Sequence, residues 1–295
     1  MIRILSLRGG GIRGIATAVL LEELERACRR PLAEVFDLVA GTSVGGIMAT
    51  GLALKIPASR LVEFFEIEGP KIFSGRRFGR LLLMLGHPRY QVNNLIAALE
   101  RHFDAGATQS LLAHVYTKLL VTSTRYRGLE ARLWKSWKHP DMRAVLAAAS
   151  SAAAPTYFEA VEVSDFKHAD GGLYANNPAA IAAVEARKLW PAHRAVVIDI
   201  ACPSDTSQFE PQHGGVLDFI PHLSEIFIGA GEDVMSYIAQ HVLGGPGSVL
   251  SIQPPLLDAD PDIGNASSRN LAELKKCARY DLERNVQRIM QILGK

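Results

Sequence analysis

A serine with glycine two residues to either side occupies Gly41-Thr42-Ser43-Val44-Gly45, between an apolar run at 36–40 and a second apolar run at 47–54. The order strand, sharp turn, helix around Gly-x-Ser-x-Gly is that of a nucleophile elbow, which makes Ser43 the candidate nucleophile. Gly41 and Gly45 let strand and helix approach with no Cβ between them, and the first helical turn points free N–H groups toward charge that develops beside the serine. A Gly-rich strand-to-helix turn with no chemistry is the competing reading of the same residues.

A second chemical signal lies at the start of the chain. Residues 2–7 read as a buried strand that runs into Arg8-Gly9-Gly10-Gly11-Ile12-Arg13-Gly14. Consecutive glycines leave their amides unobstructed and a following helix aligns more of them, so the loop is suited to an anion. Gly9, Gly11 and Gly14 also satisfy the dinucleotide spacing Gly-x-Gly-x-x-Gly, but that site needs an acidic residue at the end of the second strand. The second strand ends in Ser43 instead, so an oxyanion hole is the better reading, with amides of Gly9, Gly10 and Gly11 as donors and Arg13 adding charge or holding the loop in shape.

The glycine loop, the elbow, then Asp170-Gly171-Gly172 followed by Asn176-Asn177-Pro178, taken in that order, resemble the patatin-like phospholipase family. The stretch Ser151-Ala152-Ala153-Ala154-Pro155-Thr156-Tyr157-Phe158 is similar to the family's segment between serine and aspartate, and residues 251–254 and 262–274 fit more loosely. Many members carry aspartate where this chain has Arg8, a departure that bears on the loop and not on the reacting groups. The resemblance implies an α/β protein, a three-layer α/β/α sandwich around a central mostly parallel sheet. It also implies a Ser43–Asp170 dyad without histidine, in which Asp170 takes the serine's proton as Oγ attacks an ester carbonyl. Read by itself, Asp170 is a carboxylate in an Asp-Gly turn at a strand end. Partial burial should raise its pKa toward working pH. An ordinary α/β-hydrolase would add an acid and a later histidine, and His193, His213, His222 and His241 are available, none with a signature around it.

The implied substrate is an acyl ester of a phospholipid or related glycerolipid. A soluble esterase or thioesterase, a membrane-degrading effector switched on by a signal such as a cyclic nucleotide, and a non-catalytic membrane-binding protein are the alternatives. No metal and no cofactor is expected, since no His, Asp or Glu cluster has ligand spacing.

Composition bounds these readings. A chain of 295 residues with 48% hydrophobic and 21% charged residues can bury one large core, and one domain is the default. With 32 basic against 30 acidic residues, the charge gives no reason to expect nucleic acid. Cys28, Cys202 and Cys277 read as separate, reduced, buried thiols. No leader precedes the first strand and no apolar run approaches the ~20 residues that span a bilayer, so a cytoplasmic protein is expected, in peripheral contact with membrane.

The elements that must position these residues follow from periodicity. Helices are expected over 11–29, from 44 on, over 58–68, 91–103, 141–153 and 177–189, over much of 217–242, and as one long helix over 270–293 with Asn270 and Glu273 as a capping pair. Strands are expected over 2–7, 36–40, 118–124, 130–136, 158–163, 167–169, 195–201 and 249–252. The opening strand-helix-strand-helix order implies a parallel sheet with right-handed crossovers. Residues 69–90 fit neither pattern: Lys71, Arg76, Arg77, Arg80 and Arg89 interleave with Ile72, Phe73, Phe78 and Leu81 to Leu85. That mixture suits a cap beside Ser43 that docks on anionic lipid, or a loop whose leucines pack on the body.

Overall fold

In the computed structural model the described residues are 1–74, 87–104, 109–204 and 231–294. An eight-stranded sheet forms the middle layer. Strands β1 (Ile2–Leu7), β2 (Leu38–Gly41), β3 (Lys118–Arg125), β7 (Ala195–Ile200) and β8 (Val249–Ile252) run parallel in the order β3-β2-β1-β7-β8. The strands β4 (Glu130–Lys135), β5 (Val161–Val163) and β6 (Phe166–Asp170) complete it, with antiparallel pairings β3–β4, β3–β6 and β5–β6.

Both faces of the parallel strands are covered, and the alternation along them sorts the core into two layers. Leu5, Leu7, Val39 and Val121 join the larger cluster on one face, while Ile4, Leu38, Ala40 and Leu120 join a smaller one on the other. The larger side is covered by α1 (Gly14–Cys28), α2 (Val44–Ala53), α3 (Ala58–Ile67) with the short α4 (Gly69–Ile72), α5 (Val92–Phe103) and α6 (Ala144–Ala152). After the single turn α7 (Gly172–Ala175), α8 (Ala179–Leu189) and α9 (Glu232–Leu243) cover the smaller side. Every residue of α2 is buried, so the helix behind Ser43 is a core element with no solvent face.

Two expectations at the C-terminal end need correction. The helix over 270–293 is two helices, α10 (Ser268–Arg279) and α11 (Leu282–Leu293), broken where Asp281 takes a left-handed φ of 55°. Both halves pack on α1, which is 15 residues long; a straight rod over the whole span would measure ~36 Å against ~22 Å for α1 and would overrun it. The cap is Ser267, whose Oγ accepts the Asn270 N–H at 3.3 Å, while the Asn270 side chain accepts from Asp260 and donates to the Asn265 carbonyl, both at 2.8 Å. Glu273 pairs with Lys276 instead. At the N-terminal end, a 3-10 turn (Gly11–Arg13) precedes α1. The basic and apolar residues from Arg76 to Leu85, and much of the helix expected over 217–242, lie outside the described residues. Among the described residues no helix is long and apolar enough to cross a membrane. The three cysteines are buried and none is in a disulfide.

Arg8 ends β1 inside the protein, 3% exposed, and its guanidinium meets the wholly buried Asp199 at 2.6 Å. Asn177 and Ser236 donate to the same carboxylate oxygen, each at 3.1 Å. Removing one partner of such a pair leaves an uncompensated buried charge, at ~3–5 kcal/mol. Arg8→Ala should therefore lower the melting temperature in calorimetry by about 10 °C, at ~2–4 °C per kcal/mol for a chain of this size. Arg8→Asp, which restores the aspartate common in the family it resembles, should be worse, because two carboxylates would face each other out of water. A melting temperature for Arg8→Asp equal to the wild type would contradict this account of the pair.

Candidate active site

The β3 strand brings the two candidate groups together. Its Lys118–Val121 stretch pairs with β2 and its Ser123–Arg125 stretch with β6. Since β4 lies along the other edge over Leu120–Arg125, β2 and β6 share one edge and meet head-on. The gap between them is at Thr122. Thr122 Oγ1 donates to Thr42 Oγ1 at 2.8 Å, Thr42 Oγ1 donates to the Ala175 carbonyl at 2.7 Å, and a Cβ on Gly171 would lie 2.1 Å from Thr122 Oγ1. Ser43 leaves the end of one strand and Asp170 closes the other.

Ser43 has φ 56° and ψ −129°, a conformation costly for a residue with a side chain. The surrounding contacts impose it. A Cβ on Gly41 would stand 2.1 Å from the Gly45 carbonyl oxygen, and one on Gly45 would stand 2.1 Å from that of Leu7, so strand, elbow and helix pack backbone to backbone. Ser151 holds the turn from the other side: its Oγ accepts the Ser43 N–H at 2.8 Å and its carbonyl accepts the Gly171 N–H at 3.3 Å. One residue at the end of α6 thus touches Ser43 and the residue that follows Asp170.

The Ser43 hydroxyl donates to the Asp170 carboxylate, which also accepts the Gly172 N–H at 2.7 Å. Asp170 is 5% exposed. Burial is the largest influence on it and outweighs the two hydrogen bonds, so its pKa is raised to about 6. Beside it the Tyr174 phenol is pushed far up, first by burial and then by the Asp170 charge, and donates to the Arg132 carbonyl at 3.1 Å. His193, between α8 and β7, and His241, on α9, are both exposed, and His213 and His222 lie outside the described residues. His168, two positions before Asp170 on β6, faces Ser123 Oγ at 3.2 Å.

The glycine loop passes next to the serine: a Cβ on Gly9 would be 2.9 Å from Ser43 Cβ and 2.2 Å from Asn176 Oδ1. The Gly9 N–H is given to the Asn176 carbonyl at 3.3 Å, whereas the Gly10 and Gly11 amides take no acceptor among the described residues. Arg13 is 2% exposed and its Nε donates to the Gly10 carbonyl at 3.3 Å, the loop-holding alternative of its two expected roles. An apolar cleft opens at Ser43 and Gly11, walled by Ile47, Phe64, Phe65, Ile72, Phe73 and Phe158. Sequence reasoning missed Ser151, Thr122 and the contact of Asn176 with the loop. Ser151 and Asn176 stand in stretches whose family likeness is visible, but nothing local marks their partners.

A family model described as patatin-like phospholipase matches residues 5–183. A cGAMP-activated phospholipase of Pseudomonas aeruginosa is 34% identical over 254 residues, 82% of this chain and 75% of that protein. One from Escherichia coli is 33% identical over 62% of this chain, which spans only 55% of its length. Among solved structures, VipD from Legionella pneumophila matches 97% of this chain and 66% of its own with a TM-score of 0.51 at 12% identity, a likeness of fold. With more than half of its length under the family model, and with the serine and aspartate at its two strand ends inside that match, the chain belongs to the patatin-like phospholipase family.

Proposed function

We propose that this protein is a lipid acyl hydrolase of phospholipase A type that works through a Ser43–Asp170 dyad. One observation carries the reading: the Ser43 hydroxyl is hydrogen-bonded to a buried carboxylate with a pKa of about 6, at the mouth of an apolar cleft. An ordinary aspartate is a poor base for an alcohol; one raised by burial is ionised at neutral pH and binds a proton more readily. Asp170 takes the Ser43 proton as Oγ attacks the ester carbonyl, and returns it to the departing alcohol. Water then attacks the acyl-serine, and Asp170 takes and returns a proton once more. The amides of Gly10 and Gly11 receive the oxyanion, each worth about 10²–10³ in rate. The acyl chain lies among Ile47, Phe64, Phe65 and Phe158. The head group faces outward from the cleft. The relative from Pseudomonas favours a second layer to this reading, in which a nucleotide switches the hydrolase on.

Ser43→Ala and Asp170→Ala should each remove at least 10³ of the ester hydrolysis while circular dichroism stays unchanged; a tenth of the activity remaining in Asp170→Ala would refute the dyad. The value of kcat/KM should fall tenfold per pH unit below about 6, because only the ionised Asp170 accepts the proton.

The same raised pKa destabilises the fold. Asp170 moves from 3.8 to about 6 on folding, so the folded state binds its proton more tightly, and stability present below pH 4 is lost as pH rises through 6, by on the order of 3 kcal/mol. Asp170→Asn should then be inactive yet more stable than the wild type in urea at pH 8, with the advantage gone at pH 4. An Asn variant no more stable at pH 8 would show that the carboxylate is not held at a cost.

The oxyanion assignment has its own check. A Cβ on Gly10 would sit 2.5 Å from Cys202 Cβ, so Gly10→Ala should push the loop and lower kcat about a hundredfold with KM little changed. Adding Cys202→Gly opens that space and should restore most of kcat. Unaltered kcat in Gly10→Ala would rule out this loop as the donor.

A further inference from the structure

A second hollow, of about 580 Å³, lies beside β4 and shares no lining residue with the cleft at Ser43. Its volume falls in the ~300–1,000 Å³ range of small-molecule sites. Four basic side chains, Arg125, Arg132, Lys138 and Arg143, line it against two acidic ones, Glu130 and Asp141. Arg125 pairs with Glu130, and Arg143 pairs with Glu100 at 2.9 Å. Arg132 and Lys138 make no ion pair among the described residues, and the Nε atoms of Arg125 and Arg143 are buried without an acceptor. The positive field is felt by two histidines in the wall: after burial, Arg132 lowers both His139 and His168, with Arg125 adding to the latter, which reaches about 4.

Charge alone would suit any anion, but two of the arginines also stand over aromatic rings. The Arg132 guanidinium lies 4.5 Å over the Trp134 ring and that of Arg125 lies 4.6 Å over Phe166. A guanidinium plane backed by an aromatic ring offers its other face to a nucleobase and its edge to phosphate.

The wall of this cavity is one contact away from the catalytic pair. Trp134 Nε1 donates to Ser123 Oγ at 3.0 Å and Ser150 Oγ at 3.1 Å. Ser123 stands opposite Asp170 in the β3–β6 ladder, and Ser150 precedes the Ser151 that holds the Ser43 amide. Arg143 and Leu146, at the other end of α6, line the cavity, and the Arg132 carbonyl accepts from Tyr174 beside Asp170.

We propose that this cavity binds a phosphate-bearing nucleotide, and that its occupancy is coupled to the Ser43–Asp170 pair through Trp134 and α6. The binding half stands without the hydrolase reading; the coupling half rests on it.

Titration calorimetry on Ser43→Ala protein separates the two. Cyclic GMP–AMP should bind with micromolar affinity, and Arg132→Gln with Lys138→Gln, judged folded by its thermal melt, should weaken it at least tenfold. Inorganic phosphate and glycerophosphoglycerol, a soluble lipid head group, should bind at least a hundredfold more weakly. No binding of the dinucleotide, undiminished binding in the double variant, or equal binding of either comparator overturns the nucleotide site. For the coupling, Trp134→Phe should keep the affinity within threefold and lose the change in ester turnover that the dinucleotide produces in the wild type; a response retained in Trp134→Phe overturns the route. Wild-type protein that binds the dinucleotide yet hydrolyses no ester with or without it refutes the hydrolase reading and the coupling, and supports the binding site.

Discussion

The structure depends on two strands ending against each other along one edge of a third. A strand end ordinarily finishes in solvent, where its last groups are hydrated. Here the ends of β2 and β6 face each other inside the protein at Thr122, and their polar groups must be satisfied by each other and by a few neighbours. That requirement explains why Thr42, Thr122, Thr124 and Ser151 are buried and hydrogen-bonded in a region otherwise packed with alanine, valine and leucine. A buried hydroxyl without a partner is costly, and each of these has one. Ser43 and Asp170 lie at this junction, the carboxylate with one amide and one hydroxyl for company.

Two buried aspartates in the same protein show how surroundings decide what a carboxylate does. Asp199 is fixed by a guanidinium, an amide and hydroxyl groups and fastens β7 to the end of β1. Asp170 has no cation against it among the described residues, and burial raises its pKa. The one anchors the loop that begins at Gly9; the other lies against the Ser43 hydroxyl. A cation placed beside Asp170 would make a better-satisfied core and a worse base.

How much of this was legible in the sequence follows from how local each signal is. The elbow at Ser43 and the glycine loop could be read because steric demands on backbone are written in the residues that meet them: Gly41 and Gly45 are required by carbonyls 2.1 Å from where a Cβ would be. The central strands were legible because burial on both faces forces continuous apolar runs. Asp170 needed its likeness to a family, since an Asp-Gly pair at a strand end is ordinary. Ser151 was hidden in an alanine-rich helix, where a serine costs little and signals nothing. The partner of Arg8 lies at the far end of the fold, and no spacing rule connects the two. The break at Asp281 was invisible for a further reason: the apolar stripe over 271–293 is in phase for one straight helix, and the length of α1 decides the outcome.

The strand order also governs when this protein becomes complete during its own synthesis. Ser43 leaves the ribosome early, but β7, which pairs with β1 and brings Asp199 under Arg8, comes only with residues 195–200. At ~5–20 residues per second the interval is roughly 10–30 s. Through that time the nascent chain has a serine on an unsupported turn, a glycine loop with nothing fastened behind it, and for most of the interval no Asp170. Ser43 and Asp170 therefore come to lie on a fastened sheet only after residue 200 has been made.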